Sequence, residues 1–267
     1  MELSDVIFID CETTGLPDRT AKWDVDYMNY PHVVQIAWMN QFKQESHIIY
    51  PDGWEIPQET TDIHGITTEY AREHGEPFAI VIDKFIEDCL ESGLVCGHNV
   101  HFDTSIIKAN ILRELGREYY DANRVEDALY KGKRIDTMRP TMKWVDARTA
   151  NGRVKFPKLE ELYARCFPGQ TFPAHDALED VKAVAACLPV LLKNGLVELK
   201  IKEYDETETP EKPTETKTGM ERLNFTPQTN ETPAPAQHTI EAEKRPQIAN
   251  PEKITGVAAD LLNQNDF

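Results

Sequence analysis

Asp10 and Glu12, one residue apart at the end of the apolar run Val6-Ile7-Phe8-Ile9, are the first pair in this chain able to do chemistry. The run is short, β-branched and aromatic, and Gly15-Leu16-Pro17-Asp18 breaks it, so it reads as a buried strand ending in a turn. A strand repeats every two residues. Phe8, Asp10 and Glu12 therefore share one face, and Ile7, Ile9 and Cys11 the other. Two neighbouring carboxylates on one face repel each other and resist desolvation unless positive charge sits between them, which a divalent metal ion supplies. Taken alone, the pair is equally a solvated strand end with two acids fraying into a loop.

Three more residues bear on that choice. Asp103 follows Gly97-His98-Asn99-Val100-His101-Phe102, at the start of a helix carrying Ile106, Ile107, Asn110, Ile111 and Leu115. A helix start tolerates an anion, so Asp103 alone is also simply a cap. Asp180 falls on the apolar stripe Ala177, Val181, Val184, Leu188, Leu191 of a later helix, and a carboxylate on a buried face is costly unless paired or ligated. His175 stands five residues earlier, in the loop after Phe172-Pro173. A lone histidine there is more often a satisfied structural residue. This one has a carboxylate beside it.

The elements that must position these groups follow from the hydrophobic pattern. Val33 to Trp38 and Ser46 to Tyr50 read as two further strands, forming an antiparallel meander with the first. Ile63-His64-Gly65-Ile66-Thr67 reads as a short helix, a glycine stop and a new N-cap at Thr67. Pro77 opens a long amphipathic helix with Phe78, Val81, Ile82, Phe85, Ile86 and Leu90 on one side, closed by Gly93. Leu94-Val95-Cys96-Gly97 is then a buried strand, Arg134 to Thr137 an edge strand, and Leu159 to Phe167 a short helix. Residues 118–133 have no clear pattern. Three strands, a crossover helix and a fourth strand give an α/β fold, a mixed sheet with helices packed on its faces.

Composition limits the rest. The chain has 267 residues, enough for a sizeable core, and 40% of them are hydrophobic. The mean hydropathy of −0.52 is low for a compact globule, as though part of the chain stays unfolded. No stretch approaches the roughly 18 apolar residues that span a bilayer, and the N-terminus lacks a signal-peptide pattern. A cytoplasmic protein with no membrane contact is expected. The five cysteines (Cys11, Cys89, Cys96, Cys166, Cys187) are scattered, without a Cys-x-x-Cys pair, and read as small buried hydrophobes. A net charge of −17 suits a nucleic-acid protein poorly, but residues 131 to 158 hold nine Lys/Arg against two acids. That local excess is either a set of solvated faces or a track for a phosphodiester backbone.

The contexts Asp10-x-Glu12-Thr13-Thr14-Gly15, Asn99-x-x-Phe102-Asp103 and His175-x4-Asp180, in this order, resemble the three motifs of the DEDDh 3′-5′ exonuclease family. That family has the ribonuclease H-like fold and includes the proofreading epsilon subunit of DNA polymerase III, exonuclease X and RNase T. The resemblance covers residues 1 to about 195, and Ile63-His64-Gly65-Ile66-Thr67 is similar to the family's His-Gly-Ile loop. It implies two divalent metal ions, Mg²⁺ or Mn²⁺, with Asp10 bridging both, Glu12 and Asp180 completing one and Asp103 serving the other. It further implies His175 as the general base, and Thr13, Thr14, Leu16, His64, His98, Asn99 and Phe102 as residues that hold the terminal nucleotide. The implied activity is removal of nucleotides from DNA 3′ ends in proofreading or repair. Trimming of RNA 3′ ends is the alternative, and a non-catalytic nucleic-acid-binding module a more distant one.

The exonuclease domain is expected over residues 1–202. Residues 203–250, rich in Thr, Glu and Pro, cannot bury enough surface to offset ordering entropy and read as a disordered acidic linker. Residues 251–267 carry Ile254, Val257, Ala258, Leu261 and Leu262 on one helical face. That short helix either docks a replication or repair protein or folds back on the globule.

Overall fold

A computed structural model describes residues 1–202, so the expected linker 203–250 and terminal helix 251–267 lie outside the described residues. The core is a five-stranded sheet in the order β3-β2-β1-β4-β5. Its strands are β1 (Val6–Thr13), β2 (Val33–Met39), β3 (Gln44–Ile48), β4 (Leu94–Gly97) and β5 (Arg134–Asp136). β1 pairs antiparallel with β2 and parallel with β4, β2 pairs antiparallel with β3, and β4 pairs parallel with β5. The strands at β1, β4 and β5 therefore all exit at one edge.

Between β3 and β4 come α1 (Gln58–His64), α2 (Thr68–His74) and α3 (Phe78–Glu91). Gly65 at φ 75° stops α1 in the left-handed region open to glycine, and the Thr67 side chain caps α2 by accepting from Tyr70 N–H. After β4 the chain runs through α4 (Val100–Glu114), α5 (Gly116–Ala122) and α6 (Val125–Ala128). Residues 118–133, without a clear pattern in sequence, thus contain most of α5, α6 and a 3-10 turn at Lys131–Lys133. These helices are short and packed by Tyr120, Val125, Ala128 and Leu129 rather than by a repeating stripe. After β5 follow α7 (Met142–Val145), α8 (Leu159–Cys166) and α9 (Ala177–Lys193).

The period of two on β1 sorts the two helical layers. Ile7, Ile9 and Cys11 pack with Phe85 of α3 and Ile106 and Ile107 of α4. Val6 and Phe8 pack on the opposite face with Leu162 of α8 and Val181, Val184 and Leu188 of α9. Each buried aliphatic side chain contributes about 1.5–3 kcal/mol, so the stripe of α9 alone anchors that helix under the strand bearing Asp10 and Glu12. Gly97 lets the exit of β4 approach closely: a Cβ there would lie 3.1 Å from the Ile9 carbonyl oxygen. No helix among the described residues is long and apolar enough to cross a membrane.

Candidate active site

The site forms where β1 ends. Glu12 pairs with Gln35 of β2, but the register slips between Glu12 and Thr13, so a β-bulge sits beside the second acid. Bulges bend a strand and re-aim its side chains. Asp10, Glu12 and Asp180 each offer a carboxylate oxygen, all within 4.8 Å of one another and half-buried. Asp180 comes from the first turn of α9, on the sheet face that Asp10 and Glu12 share with Phe8.

Asp103 arrives from the other layer. It lies in the first turn of α4, whose N-cap is Asn99, so it is not the capping residue itself. It is buried at 3% exposure, and its Oδ1 accepts from the Cys11 backbone N–H at 3.2 Å and the Cys11 thiol at 3.3 Å. The helix is thereby tied to the residue between Asp10 and Glu12.

The electrostatics of this gathering are unfavourable for anions alone. Burial, then the charges of Asp103, Asp180 and Glu12, push Asp10 well above the usual carboxylate range. Burial, helped by Asp176, raises Glu12 to about 7. Burial raises Asp103 to about 7 against the opposing hydrogen bonds from Cys11, and burial with the Glu12 charge raises Asp180 to about 7. Asp180 Oδ1 is buried without a hydrogen-bond partner. An orphaned carboxylate oxygen among clustered acids fits a hard divalent cation with all-oxygen ligation, as Mg²⁺ or Mn²⁺ prefers.

His175 sits one residue before Asp176, the N-cap of α9, with φ 69°, a left-handed conformation uncommon for a side chain other than glycine. Its ring is half-exposed, with Nε2 3.7 Å from the Glu160 carboxylate of α8. Its backbone hydrogen-bonds the Asp180 carboxylate, which partly opposes the rise in that acid's pKa, while its ring faces Glu160. His64 ends α1; its Nδ1 accepts from the Ile66 N–H at 3.1 Å, while its Nε2 is buried without a partner. Burial and the nearby His175 lower its pKa, so it is held neutral with the proton on Nε2.

The other sequence-predicted contacts divide. Thr13 Oγ1 donates to the Gly15 carbonyl at 2.7 Å, and Thr14 exchanges two bonds with His32: its N–H donates to the His32 carbonyl, and its Oγ1 accepts from the His32 N–H. Leu16 projects into solvent at 83% exposure. Phe102 packs half-buried against the α3–α4 core. Asn99, at φ 70°, donates its N–H to Asp136 Oδ1 at 3.0 Å. His98 has both ring nitrogens engaged: Nε2 donates to the Pro157 carbonyl at 2.9 Å, and Nδ1 lies 3.0 Å from the Thr137 hydroxyl. Its burial favours the neutral ring. The structure therefore gives His98 a bracing contact to residues 137 and 157.

Two supporting residues went unrecognised in the sequence. Gln35 is buried opposite Glu12; its Nε2 donates to Asp176 at 3.3 Å and its Oε1 accepts from Ala177 N–H at 3.2 Å. Asp176 itself caps Leu178 and Glu179. The available signal was a glutamine within an otherwise apolar strand. Asp136 is the second, holding the N–H groups of Asn99 and Met138.

A mixed five-stranded sheet with these acids at one strand end and two flanking helices defines a DEDDh-type nuclease of the ribonuclease H-like superfamily. Residues 7–188 match the exonuclease family RNase_T, and the chain belongs to that family. Among solved structures, it is similar to exonuclease I from Methylocaldum szegediense, at 20% identity and TM-score 0.53 over 72% of this chain and 41% of that one. It is also similar to E. coli exonuclease I in complex with a dA16 oligonucleotide, at 22% identity and TM-score 0.51 over 72% of this chain and 41% of that one. A third likeness, to the E. coli enzyme with a dT13 oligonucleotide, has 21% identity and TM-score 0.53 over 70% and 40% of the two chains. These likenesses show the fold, and this chain spans about two fifths of the length of those proteins. No curated protein sequence matches it at a significant level.

Proposed function

We propose that this nuclease removes nucleotides one at a time from DNA 3′ ends, in proofreading or repair, with Asp10, Glu12, Asp103 and Asp180 holding two divalent ions, Mg²⁺ or Mn²⁺. The observation that carries this reading is the partnerless buried Asp180 Oδ1 beside Asp10 and Glu12, in a cluster whose carboxylates resist ionisation until a cation joins them. Such ions, when bound, offset the charge on the attacking and leaving oxygens of an in-line phosphodiester displacement. His175 takes up the proton of the attacking water, and the Glu160 carboxylate beside its Nε2 offsets the charge gained. The bond between phosphorus and the 3′ oxygen breaks, that oxygen takes a proton from solvent to become the new 3′ hydroxyl, and a 5′-mononucleotide leaves. Thr14, Leu16 and His64 hold the terminal nucleotide, while His98 and Asn99 keep the β4 exit in place.

The complexes of exonuclease I with deoxyoligonucleotides support a DNA substrate for this fold. In this reading residues 1–202 are the catalytic domain, residues 203–250 a tether, and residues 251–267 a docking peptide for a replication or repair protein. The test is digestion of labelled single-stranded DNA, mismatched-end duplex DNA and RNA with Mg²⁺, beside Asp10→Ala. Metal-dependent release of 3′ nucleotides, fastest from DNA and abolished by Asp10→Ala, is expected. Faster RNA trimming would reassign the substrate, and release from 5′ ends would overturn the polarity.

A further inference from the structure

The basic stretch 131–158 is not a uniform cationic face. Arg148 is held by Asp146 at 2.8 Å and Lys155 by Glu161 at 2.8 Å, so these two charges are largely consumed within the protein. Arg153 and Lys158 form no ion pair among the described residues. Arg139 lies over the ring of Phe156, its guanidinium carbon 5.6 Å from the ring centroid, and only a long 3.7 Å contact links it to Asp136. With Arg139 against it, Phe156 is still 43% exposed.

Single exposed aromatics are ordinary, but this one has a particular place. The next residue, Pro157, is pinned to His98 through its carbonyl at 2.9 Å. Glu160 stands 3.7 Å from His175. Phe156 thus sits on a short segment tied to His98 at the exit of β4 and leading into α8, whose Glu160 faces His175 beside Asp180, on the β4–β5 side of β1. Thr14, bonded to His32 just before β2, and His64, near Thr13 and His175, lie on the β1–β2 side. A strand cleaved at the acids has its terminal nucleotide on one side and its 5′ continuation on the other.

We infer that Phe156 and Arg139 form a second subsite, for single-stranded polynucleotide on the 5′ side of the scissile linkage. Phe156 stacks on an unpaired base, and Arg139, with Lys158 and Arg153 nearby in sequence, faces the phosphates. An exposed ring with adjacent cations is the chemistry that holds single strands without reading sequence, because every base has a π face and every linkage a charge. Bases inside a duplex are stacked between their neighbours and present no free face, so the subsite favours a single strand over a duplex. This inference rests on the proposed exonuclease reading.

The experiment uses the full chain carrying Asp10→Asn to prevent turnover, with Phe156→Ala, Phe156→Tyr and Arg139→Gln added singly. Twelve-nucleotide DNA and RNA strands bear 2-aminopurine at successive positions from the 3′ end. We expect quenching at one position 5′ of the terminal nucleotide, lost in Phe156→Ala and kept in Phe156→Tyr. Affinity for the 12-mers should fall about ten-fold in Phe156→Ala, while competition by a 5′-mononucleotide changes less than about two-fold. Arg139→Gln should flatten the salt dependence of 12-mer binding. Unaltered 12-mer affinity in Phe156→Ala, or an equal loss for the mononucleotide, overturns the subsite while leaving the exonuclease reading intact. A protein with native Asp10 that cleaves none of the strands, and whose Asp10→Asn form binds none, overturns both.

Discussion

Asp103 Oδ1 accepts two hydrogen bonds from Cys11, one from its backbone N–H and one from its thiol, so the acid delivered by α4 is locked to the residue lying between Asp10 and Glu12. The four carboxylates thus come from both helical layers but are registered on a single strand. Cys11→Ala removes the thiol bond and keeps the backbone one. It should lower stability by about 1 kcal/mol and turnover by up to about ten-fold, with Cys11→Ser recovering most of both. Urea midpoints and initial rates check this; an unchanged rate in Cys11→Ala would show that the backbone bond alone sets Asp103.

The raised carboxylates make a linked pair of predictions for pH and metal. Glu12, Asp103 and Asp180 titrate near 7 in the fold, Asp10 higher than usual, and all near 4 when unfolded. Between about pH 4 and pH 7 the unfolded chain therefore binds fewer protons than the native one, and stability falls as pH rises. Without divalent ions, Tm should drop on the order of 5–10 °C from pH 5 to pH 8, allowing for solvent screening of half-buried groups. Mg²⁺ or Mn²⁺ should restore it at pH 8 and do little at pH 5, since ligation competes with protons. A metal-free Tm that rises over this range would contradict the electrostatic account.

Removing one of the repelling charges separates stability from function. Asp10→Asn should raise the metal-free stability at pH 8 by about 1–3 kcal/mol, because the charge removed is the one most opposed by its neighbours. It should abolish turnover and the thermal shift on adding metal. Chemical denaturation with and without Mn²⁺ measures both, and a destabilised metal-free variant would place the strain elsewhere.

Gln35 ties β2 to the start of α9 and so to His175 and Asp180. Gln35→Leu leaves Ala177 N–H without its acceptor and should cost about 1–3 kcal/mol. Turnover should fall more than substrate affinity, since in the proposed reading α9 and the residue before its cap serve the chemistry rather than the terminal-nucleotide contact. Ser46→Ala, which removes another partner of Gln35 Nε2, should change neither by much. Equal losses in kcat and KM for Gln35→Leu would argue against a positioning role.

The strands and long helices were legible because burial is periodic. The first strand's alternation sorted Ile7, Ile9 and Cys11 from Phe8, Asp10 and Glu12, and the stripe of α9 placed Asp180 on an apolar face. Thr67, Gly65 and Pro77 marked helix ends through local backbone chemistry, which needs no tertiary information. What stayed hidden depends on contacts between distant segments. The bulge at Glu12–Thr13 is a register event, visible only against β2. Gln35 and Asp176 meet across 141 positions, and Cys11 and Asp103 across 92. Arg148 and Lys155 counted as free cations in the sequence, whereas folding pairs them with Asp146 and Glu161.

Lys108 offers a test of the scaffold away from the site. Its side chain is 2% exposed, its Nζ donates to Glu126 at 2.6 Å, and it lies over the Trp23 ring at 5.1 Å. Burial pushes its pKa down to about 8, despite the Glu126 charge that pulls upward. Glu126 shifts favourably for the pair, its pKa held below normal by Lys108 and Tyr120 against burial, but its side chain is 55% exposed and that gain is largely screened. The desolvation of the ammonium therefore dominates. Between pH 8 and about pH 10.5 the unfolded chain holds a proton that the fold has released, so stability should rise with pH in that window and be flat for this group below it. Lys108→Met should remove the rise and leave stability at pH 7 within about 1 kcal/mol of the parent, because a well-packed apolar chain replaces a poorly solvated ion. Denaturation midpoints from pH 7 to pH 10 decide it: a Lys108→Met protein several kcal/mol weaker at pH 7 would mean that the Lys108–Glu126 pair carries net stability.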